Sequence, residues 1–489
     1  MLFNSHIFML LFLPLLLAGW YFLNWKKKFQ LAQGYLIGMS LWFYAYANLQ
    51  YLWLLLFSCL IGWLLSCVPE KISSEKGKKV LTGVGCVFHL GLLGYFKYSN
   101  FFLENLNTVF HTDFPMLQIL LPVGISFYTF QQLAYLIDRC RGDAPRDSFF
   151  DYLTFMVYFP QLLQGPILLR SEFMGQLKEP ERRRFHAERF SEGIQFFVFG
   201  LAKKVLLADT LAKAVNYGYS NVSMLDSISA LLLAVGYLTE LYFDFSGYCD
   251  MAVGLGKMIG LEVVENFDAP FHSASVKEFW RRWHMTLGRF FTRYVYIPLG
   301  GNRRGKMRTL CNVMIVMLLS GLWHGAAWTF VLWGFLHGVG MIWDNLEHPH
   351  LPKKWMRQAA TFAYVCMTFV FFRAESIAQG IDVLKSIVSL KWNGFVFQMA
   401  SALDMTECYI ITKALSMKLP GLLSWFWLGI FVVLIAICFR VLSGEKVSGV
   451  VALQRQKGYG RLYPVLLAVL FTWSMISMTG VSEYLYFSF

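Results

Sequence analysis

The stretch Leu310-Cys311-Asn312-Val313-Met314-Ile315-Val316-Met317-Leu318-Leu319 runs directly into Ser320-Gly321-Leu322-Trp323-His324-Gly325, and a second apolar run follows over 327–345. No Asp, Glu, Lys or Arg occurs between Thr309 and Trp343. A helix needs about 20 largely apolar residues to cross a bilayer. Two runs of that length, joined at a polar hexapeptide, therefore read as a pair of transmembrane helices with His324 between them.

The same reading repeats outward in both directions. Apolar runs that could cross fall near 7–24, 31–49, 50–68, 79–97, 117–137, 192–208, 227–245, 309–325, 327–345, 358–373, 423–441 and 462–480. Adjacent runs merge, so the expectation is an all-α polytopic membrane protein with roughly 11–12 crossings. Composition agrees: 57% of the 489 residues are hydrophobic, only 15% are charged, and 18% are aromatic. A soluble domain carries about a quarter charged residues, and abundant Trp and Tyr suit interfacial belts.

The net charge of +13 does not imply nucleic acid, because the basic residues lie in short loops between apolar runs. Loops near 25–28, 71–79, 139–146, 170–190, 302–308, 353–357 and 440–461 are rich in Lys and Arg, whereas those near 47–50 and 98–116 carry almost none. That alternation places the basic loops in the cytoplasm. The first run, His6 to Asn24, is followed rather than preceded by Lys26, Lys27 and Lys28. It reads as an uncleaved first helix with its N-terminus outside.

Two stretches do not fit simple crossings. Residues 150–168 are interrupted by Pro160 and Pro166, and 250–300 mix apolar, glycine and charged positions. Irregular backbone at membrane depth survives only where protein buries it or it lines a cavity, so both are candidate re-entrant segments. The less hydrophobic region 374–420 reads as amphipathic interfacial helices on the outer side. The nine cysteines include no CxxC pair, so they support neither a zinc site nor a redox motif.

Ionisable groups inside such a chain are expensive. Glu240, Asp244 and Asp250 end one apolar run, and a second polar cluster is Phe279-Trp280-Arg281-Arg282-Trp283-His284-Met285. His324 is the leading catalytic candidate, because a neutral imidazole takes a proton from a hydroxyl and returns it to a leaving group. A structural histidine bonded within the bundle is the alternative. Gly321 and Gly325 beside it allow close approach of a substrate or another helix. His284 reads either as an aromatic-and-arginine interface anchor or as a second group that orients substrate or shares the proton. His337 would face about 220° away on one continuous helix and reads as structural. Arg303, Arg304, Lys306 and Arg308 follow Gly300-Gly301. They set topology, or attract the phosphates of a cytoplasmic acyl carrier. Walker A, GxSxG, HExxH and GxGxxG patterns are absent, which leaves pumping, esterase and zinc-protease chemistry without support.

The set Trp280-Arg281-Arg282-Trp283-His284, followed by Trp323-His324-Gly325, resembles the membrane-bound O-acyltransferase family, most closely its bacterial branch typified by the alginate O-acetylation protein. Further stretches that resemble that branch are Leu121 through Phe130, Phe159-Pro160-Gln161 through Gly165-Pro166-Ile167, Gly200-Leu201-Ala202-Lys203-Lys204, Phe243-Asp244-Phe245-Ser246-Gly247-Tyr248, Ile297 through Arg303, and the tail Tyr484-Leu485-Tyr486-Phe487-Ser488-Phe489.

The resemblance implies one integral-membrane domain over 1–489, with a core at 120–345, N-terminal helices in 1–119 and C-terminal helices in 346–489. Its helices would ring a central chamber with funnels from both faces. It implies His324 as the catalytic histidine and His284 as the second characteristic one. Acetyl would come from cytoplasmic acetyl-CoA, with Arg281, Arg282, Arg303 and Arg304 as donor-binding candidates and no metal or tightly bound cofactor. The acceptor would be an extracytoplasmic polysaccharide, either alginate or a similar exopolysaccharide, or peptidoglycan. A periplasmic or membrane-anchored SGNH-type acetyltransferase partner would complete transfer, and the bacterial cytoplasmic (inner) membrane would house the protein. D-alanyl transfer to teichoic acid, a lipid-linked saccharide transporter or flippase, and a secretion scaffold remain the alternatives.

Overall fold

A computed structural model describes residues 1–68, 72–346, 353–442, 444, 446–458, 460, 462–478 and 484–485. His348, His350 and the tail residues from Tyr486 onward lie outside the described residues. Every regular element among the described residues is a helix. Six are long and apolar enough to cross a membrane: Phe8–Trp25, Leu49–Cys67, Glu75–Phe110, Ser227–Ile259, Lys306–His324 and Pro420–Leu442. Pro420–Leu442 leaves Leu422, Trp425, Val432, Val433 and Ile437 exposed, a surface that apolar solvent accommodates and water does not.

The remaining apolar runs are helical as well, but shorter or more polar. The run at 31–49 is Phe29–Asn48, which carries Gln30, Gln33 and Ser40. From 117–137 only the part inside Ile125–Arg141 is helical. The 192–208 run is divided between Ala187–Ala202 and a π-turn over Lys203–Ala208. Trp328–Asn345, Lys354–Arg373 and Leu462–Ser477 account for the others.

The chain divides into two compact units. The first takes Met1–Phe197, Met251–Glu265 and Thr286–Pro298. Phe3, Phe8, Phe43 and Phe159 pack ring against ring, with Phe43 and Phe159 centred 5.4 Å apart. A buried polar chain crosses this apolar setting: Tyr152 OH donates to Gln132 Oε1 (3.2 Å), and Gln132 Nε2 donates to Ser58 Oγ (2.7 Å). Each such bond removes a polar group that lipid would leave unsatisfied. Around Pro160 the backbone breaks into Phe149–Val157 and Phe159–Leu162. Tyr158, Leu162, Leu163 and Ile167 there are all buried, so the irregular backbone expected over 150–168 is enclosed by protein. Several arginines form ion pairs: Arg170 with Asp147, Arg289 with Glu172, and Arg293 with Asp138 (3.0 Å) and Asp143 (2.9 Å).

The second unit takes Val198–Asp250, Asn266–Met285 and Leu299–Phe489. The 33-residue helix Ser227–Ile259 starts there and is 78% buried, against 22% for Pro420–Leu442. Its N-terminus is fixed by Asp226, whose carboxylate accepts from Ser229 N (2.8 Å), Ser229 Oγ (2.7 Å), Asn393 N (3.1 Å) and Gly394 N (3.0 Å). Burial alone would raise that carboxyl, yet these donors hold it below the ordinary aspartate value. Two of the acids within the helix meet lysines. Lys204 Nζ lies 2.6 Å from Asp244 and 2.7 Å from Asp209, and Lys203 Nζ lies 2.6 Å from Asp250. Asp244 also accepts from Leu485 N (3.0 Å), and Lys204 sits 4.8 Å from the centre of the buried Tyr484 ring. Within 374–420, the helix Ile377–Val388 buries Gly380 and Val383 while Asp382 and Lys385 stay exposed. That is the amphipathic pattern expected for the region.

Candidate active site

His324 is the last residue of the helix Lys306–His324, and Gly325 caps it with its N–H bonded to Gly321 O (3.2 Å). Three residues later the chain re-enters a helix at Trp328. The hairpin is held by backbone contact. A Cβ added at Gly321 would stand 2.3 Å from Phe330 O, and one at Gly334 would stand 2.4 Å from Met317 O. The close approach that Gly321 permits is therefore the approach of the second helix. His324 ends up 3% exposed, walled by Trp323, Trp333 and Phe372 at ring-centre distances of 4.9, 5.2 and 5.2 Å.

His284 reaches the same aromatic chamber from a different local structure. The short helix Val276–Arg282 stops before it and Met285–Phe291 begins after it. His284 is thus a junction residue between two short helices. Its φ is +45°, a left-handed conformation that costs a non-glycine residue about 1–3 kcal/mol and persists only where the surroundings enforce it. Antiparallel backbone pairing enforces it here: Asp268 N donates to Arg282 O (2.9 Å) and Met285 N donates to Asn266 O (2.9 Å). The imidazole is fully buried, with Nδ1 3.1 Å from Asn266 Oδ1 and Phe245 packed edge-on at 4.8 Å. Burial lowers its pKa to about 3, so the ring is neutral.

The two imidazoles are centred 6.4 Å apart. Subtracting the ring radii leaves a shortest possible N–N separation of about 4 Å, beyond hydrogen-bond reach. The pair cannot pass a proton directly, and both rings line the same chamber.

His337 has a different part. Trp280 Nε1 donates to its Nδ1 (3.2 Å), and Thr368 Oγ1 lies 2.9 Å from its Nε2. Because Thr368 gives its own hydrogen to Val365 O (2.8 Å), His337 must carry its proton on Nε2. The ring is a bonded strut, and Trp333 stands between it (4.8 Å) and His324 (5.2 Å). Among the arginine candidates, Arg282 is engaged by Glu278 (2.9 Å) and Asp268 O (3.2 Å). Arg281, Arg303 and Arg304 are exposed. The loop bearing Arg303 and Arg304 is anchored by Asn312 Nδ2 on Gly301 O (2.9 Å). Asn266, Trp333, Thr368 and Phe372 belong to this setting without having been singled out from sequence. The first sits in a loop, and the others look like ordinary members of apolar runs.

His324 and His284 thus line one buried aromatic chamber at the end of an apolar helix. The sequence profile of the membrane-bound O-acyltransferase family matches residues 143–380, which include both histidines, and the chain belongs to that family. It is 35% identical over 423 residues to the peptidoglycan O-acetyltransferase of Helicobacter pylori, covering 80% of each chain. It is 39% identical over 389 residues to the probable alginate O-acetylase AlgI of Azotobacter vinelandii, covering 77% of this chain and 76% of the relative. The teichoic acid D-alanyltransferase of Streptococcus thermophilus is 28% identical over 253 residues, 49% of this chain and 58% of the relative. The protein is a multi-pass membrane O-acyltransferase.

Proposed function

We propose that this protein moves acetyl from cytoplasmic acetyl-CoA across the bacterial cytoplasmic membrane for O-acetylation of an extracytoplasmic polysaccharide, either an exopolysaccharide such as alginate or peptidoglycan. The observation that carries the reading is the buried His324–His284 pair, 6.4 Å apart. His324 takes the proton of an acceptor hydroxyl, and the hydroxyl oxygen attacks the thioester carbonyl carbon. The C–S bond breaks, and the proton passes from His324 to the departing sulfur. His284, neutral, orients the acceptor by accepting a hydrogen bond from a donor group other than the reacting hydroxyl, whose single hydrogen goes to His324. The aromatic wall excludes water, which would otherwise hydrolyse the thioester.

The exposed Arg281, Arg303 and Arg304 are the cations offered to the donor's phosphates, while Arg282 serves the fold through Glu278. A periplasmic or membrane-anchored SGNH-type partner completes transfer to the polymer. The names of the relatives support acetyl and a cell-envelope glycan. The run of lysines after the first helix supports an N-terminus outside. The test is polymer O-acetylation in cells lacking the gene, complemented with wild type or His324→Ala at matched membrane abundance. Absent acetylation with a folded variant is the expected result; full acetylation would remove His324 from the chemistry.

A further inference from the structure

Asn266 holds His284 in two ways. Its backbone oxygen accepts from Met285 N (2.9 Å), which pins the junction where His284 adopts φ +45°. Its side-chain Oδ1 lies 3.1 Å from His284 Nδ1. The other end of the amide is also committed, because Asn266 Nδ2 donates to Cys249 Sγ (3.5 Å) on the helix Ser227–Ile259. All three side chains are buried: Cys249 is 3%, Asn266 1% and His284 0% exposed.

With Nδ2 turned to sulfur, only the carbonyl oxygen faces the imidazole. An oxygen there accepts a proton from Nδ1 and cannot donate one. A neutral imidazole holding its proton on Nδ1 has its lone pair on Nε2, so the partner of one nitrogen sets the function of the other. We propose that Asn266 is the positioning residue of this active site, fixing His284 as the Nδ1–H tautomer so that Nε2 presents its lone pair to the chamber shared with His324. Cys249 serves as the stop that keeps the amide from flipping. This rests on the reading of His284 as an active-site group.

The chemistry predicts an order among substitutions. Asn266→Ala removes the acceptor and lets the ring turn or change tautomer. Asn266→Asp keeps an oxygen against Nδ1 and adds a negative charge, which favours the protonated ring. Asn266→Leu fills the space with no acceptor at all.

The experiment measures acetyl transfer from radiolabelled acetyl-CoA to endogenous polymer in membranes holding the full chain, with variants matched for abundance and for thermal unfolding in detergent. His284→Ala and His324→Ala are run first. If His284→Ala transfers as well as wild type, the active-site reading of His284 fails and the proposal with it. If His284→Ala is impaired, the Asn266 series decides the proposal by itself. Asn266→Ala and Asn266→Leu are then expected to lose about 100-fold (~2.7 kcal/mol) in kcat with little change in KM for acetyl-CoA. Asn266→Asp is expected to stay within about tenfold of wild type, with the acidic limb of its pH profile moved to higher pH, because a more basic ring must lose its proton at higher pH to accept. In a His284→Ala background, Asn266→Ala should cost nothing further. Equal loss in Asn266→Asp and Asn266→Ala with an unmoved pH profile, or an additional loss in the double variant, would overturn the assignment.

Discussion

The imidazoles of His284 and His324 share one chamber at a centre-to-centre distance of 6.4 Å, one held in a left-handed junction and the other at a helix end. In the proposed division of work His324 is the base and His284 orients the acceptor. His324→Gln keeps volume and hydrogen bonding but loses the base, so kcat should fall by about 10²–10⁴. His284→Gln, which still offers an acceptor oxygen, should lose less. Single-turnover acetyl transfer in membranes separates the two, and equal losses would argue against the division.

Gly334→Ala tests the hairpin. The added methyl meets Met317 O at 2.4 Å, and backbone cannot yield as a flexible side chain does. The two helices must part, at about 1–3 kcal/mol, and His324 moves with them. A lower unfolding temperature together with a reduced kcat is the expected result. A fully active, fully stable variant would show that the helices have slack.

Acid should loosen the start of the helix Ser227–Ile259. The folded pKa of Asp226 is depressed by its four hydrogen bonds despite burial. Its contribution is therefore complete above the unfolded value of about 3.9 and is lost as pH falls through the lower folded value. Asp226→Ala should destabilise by about 1–3 kcal/mol at neutral pH, and the gap from wild type should narrow as the medium is acidified below about pH 4. Thermal unfolding across pH reads both effects.

Arg303→Ala with Arg304→Ala addresses the donor. Exposed guanidiniums that meet phosphates act on binding and are screened by salt. The double variant should raise the KM for acetyl-CoA about 5–20-fold, leave kcat within about twofold, and weaken the dependence of KM on ionic strength. An unchanged KM would leave these residues with topology alone.

What the sequence disclosed were the rare polar residues that meet in the chamber. His324 stood out because imidazole is costly between two apolar runs, and His284 because arginine and tryptophan surround it. Asn266 could not be found that way, since its importance lies in a backbone pairing between 266–268 and 282–285 that no period in the sequence encodes. The left-handed turn at His284 was hidden for the same reason, as nothing local requires a non-glycine residue to adopt it. Helical angle misdescribed the relation of His337 to His324, because the chain reverses at 325–327 and the angle of one continuous helix does not apply. Six of the expected crossings, by contrast, follow from bulk hydrophobicity, which needs no knowledge of neighbours, while the other apolar runs proved shorter or more polar helices.

The pairing of Lys204 with Asp244 also bears on how the chain enters the bilayer. An acid at mid-helix raises the insertion free energy of an isolated segment by about 3 kcal/mol, and Ser227–Ile259 carries Glu240, Asp244 and Asp250. Lys204 and Lys203 leave the ribosome earlier, on the preceding helical segment, and meet Asp244 and Asp250 at 2.6 Å in the finished protein. Paired in this way, two of the three acids of the helix lie in lipid with their charge offset, and the cost that remains is concentrated on Glu240.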